Sequence, residues 1–313
     1  MSHDAEFRSL RNRIREADMA LKDQSNLLDD LLSMYFGSDF LEIWYANGLY
    51  VKIRDVPGSL SGDILRLRVN VPPLNGHSEI IGDDIVDIAY KDIPAEDDDE
   101  EDTTVVAGTV MQLPVVAFDP KIHFAKTCRS IKEVSNLLQV QGHPNIVRLL
   151  GRNEAGDLVF LRHRRPFLDG SISDFRRLLL QLVDAVMFLH SKGIVHRDLA
   201  FRNLLLSQDR QNLILCDLES RYGSGHCPEI ALARDNGAPD QEWPYSPKSD
   251  VYYFGITIAE LVIQNAPRTP WQYFGNFVPP PPFDHIYHTC LKTNPDDRPT
   301  LAEIKEMLES IIV

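Results

Sequence analysis

Cysteine is scarce in this sequence. Cys128, Cys216, Cys227 and Cys290 lie far apart, show no C-x-x-C spacing, and are too few to staple a chain of 313 residues. Long apolar runs are missing too. The most apolar stretch, Leu178 to Leu189, is broken by Gln181 and Asp184 and is too short to span a bilayer. The opening residues, MSHDAEFRSLRNR, carry charges where a secretory leader needs apolar side chains. Positive charge is in short supply, with 32 Lys plus Arg against 46 Asp plus Glu and a formal net charge of −14. Bulk electrostatics therefore disfavour a nucleic-acid or anionic-membrane partner. The expectation is a soluble protein of a reducing compartment, cytoplasmic with the nucleus as the alternative.

What the chain does contain is enough apolar material for a core, 43% of residues being hydrophobic. The length suits two units or one large bilobal one. The acidity is concentrated, since the seven consecutive acids Glu96 to Asp102 account for half the net charge. Like charges at that density repel, which fits a solvated loop.

Periodicity sorts the chain into three stretches. Phe7, Leu10, Ile14, Ala17, Leu21, Leu28, Leu31 and Tyr35 recur at spacings of three and four, with one gap at Gln24, and predict a helix over 5–36. Such a helix either packs on its own chain or mediates self-association as a short coiled coil. From 40 to 118 the pattern turns to strands. Asn47-Gly48 separates two β-prone runs as a hairpin, and further strands are expected at 63–71, 85–93 and 105–118. After residue 120 amphipathic helices dominate, at 131–140, 175–190, 251–263 and 301–311.

The chemistry concentrates in GIVHRDLAFRNLLL, residues 193–206, and LILCDLES, residues 213–220. Asn203 follows Asp198 by five positions, and Asp217 ends an apolar strand. Three oxygen-bearing side chains on loops between short strands suit a hard divalent cation and a hydroxyl nucleophile.

This stretch resembles the catalytic loop and metal-binding Asp of the eukaryotic protein kinases. The likeness extends to His143–Gly151 after a helix carrying Glu133, to Leu182–Asp198, to Lys248–Gly255, and to Asn294–Pro299. It implies that Asp198 accepts or orients a substrate hydroxyl proton and that Asn203 and Asp217 hold Mg²⁺ against the phosphates of ATP. Glu133 would be the helix acid that pairs with a strand lysine. Asp250 would brace the catalytic loop, and Arg298 would pair with an acid ending the activation segment. Ala200 replaces the Lys of many Ser/Thr kinases, and Arg202 supplies the charge as in a tyrosine-kinase loop. The implied fold is α+β and bilobal. It would have an N-terminal amphipathic helix at 1–38, a divergent β-rich small lobe at 39–160 with an acidic insertion near 95–104, and a mainly helical large lobe at 161–313. The implied function is phosphoryl transfer from ATP to a Ser, Thr or Tyr hydroxyl of a protein substrate. The alternative is a pseudokinase serving as a nucleotide-binding or scaffold module.

Several positions depart from the family pattern. Leu218-Glu219 follows Asp217 in place of Phe-Gly. Either Glu229, in Cys227-Pro228-Glu229, or Asp240, in Ala238-Pro239-Asp240, ends the activation segment, with Ser220, Tyr222 and Ser224 as candidate phosphosites. No G-x-G-x-x-G is present. The nucleotide lysine is either Lys91, far from Glu133 across the acidic run, or is replaced by Asp119. Cys216 reads as a small buried hydrophobe, and His163, Arg164 and Arg165 fall near the hinge expected to meet adenine.

Overall fold

The computed structural model describes residues 3–37, 39–93, 103–219, 227–239, 242–263 and 278–312. The acidic run Glu96–Asp102, the hydroxyls of Ser220, Tyr222 and Ser224, and Asp240 lie outside the described residues. The chain divides into two units. One comprises Met1–Asp97, Gly225–Pro244 and Asn265–Pro280, and the other Asp98–Ser224, Tyr245–Gln264 and Pro281–Val313.

The first unit begins with α1 (His3–Gln24) and continues with β1 (Leu31–Phe36), β2 (Phe40–Tyr45), β3 (Tyr50–Arg54), α2 (Leu60–Leu65), β4 (Ser78–Ile81) and β5 (Asp84–Asp87). The strands form one sheet in sequence order, antiparallel except for β3 against β4. The expected hairpin at Asn47-Gly48 joins β2 to β3, and Gly48 takes the left-handed conformation (φ 83°) that such a turn requires. Alternation along these strands puts Leu41, Ile43, Val51 and Ile53 on one face, fully buried with Ile64 and Leu65 of α2. The opposite face carries Glu42, which is only 1% exposed and accepts hydrogen bonds from Tyr50 Oη (2.7 Å) and from Lys91 Nζ (2.6 and 2.8 Å).

Three expectations fail in this region and the next. The helix predicted over 5–36 stops at Gln24, and 31–36 is a strand. Asn26 explains the stop: its side chain accepts from Val71 N–H (2.7 Å) and donates to Val71 O (3.0 Å), pinning the chain, and Asp30 at φ 51° turns it into β1. The strand expected at 63–71 is replaced by α2 and a loop. A Cβ at Gly62 would lie 2.2 Å from Val56 O, so the glycine lets this short helix press against backbone. The first half of the strand expected at 105–118 is instead α3 (Thr103–Met111). Val106 and Val110, one helical turn apart, are buried, while Val105 and Met111 are exposed. Packing of that face overrides the β preference of valine. Phe7 and Arg11 of α1 are buried within the chain, as in a helix packed on its own body.

In the second unit α3 is followed by β6 (His123–Lys126), α4 (Ile131–Gln139), β7 (Leu149–Arg152) and β8 (Leu158–Leu161). These strands form an antiparallel sheet in the order β6-β8-β7. Then come α5 (Ile172–Ser191) and the short hairpin of β9 (Leu204–Leu206) and β10 (Leu213–Leu215). Helix α6 (Pro228–Asp235) belongs to the first unit, where the Arg234 guanidinium lies 4.8 Å from the centroid of the Tyr35 ring. The second unit closes with α7 (Pro247–Ile263), α8 (Asp284–Cys290) and α9 (Leu301–Glu309). The expected α+β class is observed, strand-rich toward the N-terminus and helical toward the C-terminus. Among the described residues no helix is long and apolar enough to cross a membrane.

Helix α5 is the hub of the helical part. Phe175, Leu178, Leu179, Leu182, Val186 and Leu189 repeat at helical spacing and are fully buried, packed against α7, α9 and β10. Its start is fixed by a capping box in which the Ser171 side chain accepts from Asp174 N–H (3.1 Å) and Asp174 accepts from Ser171 N–H (3.0 Å). Ser171→Ala is expected to destabilise the second unit by about 1 kcal/mol, read as a lower urea midpoint, with Ser171→Asn restoring most of the loss.

Candidate active site

The site begins with β6, an edge strand among the described residues. His123 is buried, Phe124 is half exposed, and Lys126 ends the strand. Four residues later Ser130 caps α4 by accepting from Lys132 N–H (3.1 Å), which places Glu133 in the first turn. The two side chains meet, with Lys126 Nζ 2.8 Å from Glu133 Oε1 and 2.8 Å from Asp217 Oδ1. Glu219 Oε2 is 3.8 Å from the same nitrogen. Burial alone would lower the affinity of the ammonium for its proton, but the charges of Glu133 and Asp217 reverse that and hold it above the ordinary lysine value.

A second cluster is organised by Asp250 in the first turn of α7. This carboxylate is fully buried and accepts from the backbone N–H groups of His196 and Arg197, both at 2.8 Å, with His190 Nε2 at 2.7 Å. Arg197 is held in the left-handed region (φ 71°), and the chain reverses there to present Asp198. Asn203 Nδ2 donates to Asp198 Oδ2 (2.7 Å) and to Asp198 O (2.8 Å), and Arg202 donates to Asp198 Oδ1. The β9–β10 hairpin brings in Asp217, because Cys216 N–H bonds Asn203 O (2.9 Å) and His196 Nε2 meets Cys216 O (3.1 Å). Leu218 is fully buried, and its carbonyl accepts from Asn136 Nδ2 on α4 (2.8 Å).

Both clusters face a cavity of about 490 Å³, lined by Lys126, Glu133, Arg202, Asn203 and Asp217 on its polar side. Phe124, Phe160 and Leu205 supply apolar lining. His163 and Arg165 line it too, whereas Arg164 turns to Gln208 Oε1 (3.0 Å). Burial lowers the His163 pKa below the ordinary histidine value. The amide nitrogen of Asn203 is committed to Asp198, which leaves its oxygen as the group to offer a cation.

All five residues singled out from the sequence, Asp198, Arg202, Asn203, Glu133 and Asp217, therefore lie around one cavity or in direct contact with a residue that does. The lysine paired with Glu133 is neither of the expected candidates. Lys91 pairs with Glu42 in the first unit, and Asp119 caps a turn by accepting from Lys121 N–H (2.9 Å). Lys126 meets Glu133 instead. Its local signal is His123-Phe124-Ala125-Lys126, an alternating strand end with Ala before Lys, only seven residues ahead of Glu133. Arg298 donates to the carbonyls of Lys248 (2.9 Å), Lys292 (2.8 Å) and Thr293 (3.1 Å). Glu229 lies in the first turn of α6 in the first unit.

A family model described as the protein kinase domain matches residues 119–309. The mitogen-activated protein kinase kinase kinase mom-4 of Caenorhabditis elegans is 27% identical over 226 residues, covering 61% of this chain and 41% of that protein. A probable serine/threonine-protein kinase of Dictyostelium discoideum is 29% identical over 223 residues, 58% of this chain and 35% of its own length. The serine/threonine/tyrosine-protein kinase HT1 of Arabidopsis thaliana is 31% identical over 221 residues, 59% and 55% respectively. The chain thus spans between 35% and 55% of the length of these curated relatives.

Cys216 also lines the cavity, and burial together with the neighbouring Asp217 charge pushes its thiol up to about 12. The thiolate is the reactive form. At pH 8 Cys216 is therefore expected to stay unmodified by iodoacetamide in the native chain and to label fully in denaturant, as read by peptide mass spectrometry.

Proposed function

The chain belongs to the protein kinase domain family, and from that premise we propose that it transfers the γ-phosphoryl group of ATP to a hydroxyl of a protein substrate. The observation that carries the reading is the joining of Lys126 to Glu133 and Asp217 in the cavity that also receives Asn203, itself bonded to Asp198. A further element of the proposal is that the small lobe is built from β6, α4, β7 and β8. The five-stranded sheet of the first unit then lies outside the kinase domain, whose match begins at residue 119.

The donor set fits Mg²⁺ and ATP. One carboxylate, Asp217, and one amide oxygen, that of Asn203, suit a hard cation that takes few protein ligands and fills its shell with phosphate and water. The cavity supplies apolar walls for a base and, at Lys126, a fixed cation for phosphate oxygens. Bound Mg²⁺ would neutralise charge that builds on the transferred group. Asp198 would orient the acceptor hydroxyl and take its proton, held in place by Asn203 and by the loop that Asp250 braces. Arg202, 60% exposed on its side-chain surface, sits where an incoming substrate would meet Asp198. The relatives' names span serine, threonine and tyrosine kinases, and the Ala200/Arg202 loop is tyrosine-like, so a substrate panel must offer all three hydroxyls.

A second reading, a pseudokinase that binds nucleotide or serves as a scaffold, is favoured by one observation. Among the described residues β6 is paired only with β8, and no glycine-rich hairpin lies along its other side.

Labelled ATP with Mg²⁺ and Ser, Thr and Tyr substrates tests the proposal. Asp198→Asn is expected to lower turnover by ~10²–10⁴-fold. Equal background from both proteins would sink the enzyme reading, and stabilisation of both by Mg·ATP without turnover would establish the second one. A paired comparison tests the lysine. Lys126→Met is expected to weaken nucleotide binding at least ~10-fold, whereas Lys91→Met lowers the melting temperature and leaves nucleotide affinity unchanged.

A further inference from the structure

We infer that Glu219 is a specificity-determining residue of the nucleotide site, widening its preference for the metal complex over free ATP. The inference rests on the kinase reading above. Three carboxylates surround one ammonium, with Glu133 and Asp217 each 2.8 Å from Lys126 Nζ and Glu219 3.8 Å away. The local sum is two negative charges. Two of the three carboxylates are poorly shielded, Glu133 being 2% exposed and the Glu219 side chain 17%, while Asp217 is 40% exposed. The negative charge is also under-compensated: Glu133 Oε2 and Glu219 Oε1 are both buried with no hydrogen-bond partner. Buried acceptors left this way are costly, and they favour any arrangement that brings a cation or donor to them.

Without Glu219 the sum would be one negative charge. The added carboxylate stands at the second position after Asp217, next to the residues proposed to hold the metal. It repels phosphate oxygens approaching Lys126 and competes with them for the ammonium. Free ATP, carrying about four negative charges, meets that repulsion in full. A complex with Mg²⁺ brings two positive charges to the same carboxylates. Glu219 thereby raises the discrimination between the two forms of the ligand.

Calorimetric titration of the full chain with ATP in EDTA, and with ATP in excess Mg²⁺, gives the ratio of the two affinities. Glu219→Gln, which keeps the shape, and Glu219→Gly, which removes the side chain, are each expected to narrow the ratio about tenfold by tightening the binding of metal-free ATP. Asp296→Asn, at an exposed loop carboxylate, should keep the wild-type ratio. Binding with an unchanged ratio in both Glu219 variants overturns this inference alone. A ratio narrowed only by weaker Mg·ATP binding overturns it as well, since Glu219 would then be supporting the metal. Absence of nucleotide binding in every protein and condition overturns the kinase reading and this inference with it. Agreement between the two variants guards against a folding artefact, and circular dichroism of each confirms the native state.

Discussion

One ammonium group joins three separate stretches of the second unit. Lys126 comes from the end of β6, Glu133 from the first turn of α4, and Asp217 from the end of the β9–β10 hairpin, ninety-one residues further along the chain than the lysine. Glu133 is almost wholly buried, and a buried carboxylate without its cation costs several kcal/mol, roughly 3–5 when one partner of such a pair is removed. The conformations in which strand and helix come together are therefore the ones in which Glu133 can stay charged, and Asp217 joins them through the same ammonium although its own charge opposes that of Glu133. The ion pair works as a registry device more than as a source of net stability.

The same logic operates in the helical part, with backbone in place of a side-chain cation. Asp250 has no solvent exposure, and the loop of His196 and Arg197 supplies N–H groups to both its oxygens. Because the carboxylate accepts from two consecutive amides, the loop has little freedom to shift along the helix. Arg197 consequently stays in a left-handed conformation that costs a non-glycine residue of order 1–3 kcal/mol. That strain is what turns Asp198 toward Asn203. Two buried acids, Glu133 and Asp250, thus fix the two halves of the site.

How much of this was legible in the sequence varies with the kind of constraint. The meeting of Asp198, Asn203 and Asp217 was readable because the chemistry proposed for them asks for particular residue types at short separations. Helix α5 and the β2–β3 hairpin were readable because burial periodicity and Asn-Gly turn chemistry are local signals. The end of α1 was not, since Leu28, Leu31 and Tyr35 continue a helical spacing that a strand can also satisfy. What stops the helix is Asn26 bonding to Val71, a contact forty-five residues away. Helix α3 misled in the opposite direction. Its valines carry β propensity, but burial of Val106 and Val110 follows a helical period. The lysine was missed for a geometric reason. Lys91 and Asp119 precede Glu133 by 42 and 14 residues, whereas only Thr127 to Ser130 separate β6, which ends in Lys126, from α4.

That short connection also clarifies the charge imbalance. The acidic excess that concentrates in Glu96 to Asp102 recurs, at small scale, where Glu133, Asp217 and Glu219 gather round Lys126. An edge strand of four residues, paired on one side among the described residues, holds its last side chain only loosely by sheet hydrogen bonds. Carboxylates then do the positioning that a second neighbouring strand would otherwise share. Under the proposed function the consequence runs against easy nucleotide entry, because each carboxylate that steadies the lysine would also repel phosphate. A site built this way resolves the conflict only when positive charge arrives with the ligand. The Asn203 and Asp217 oxygens at the cavity wall are where that charge would be received.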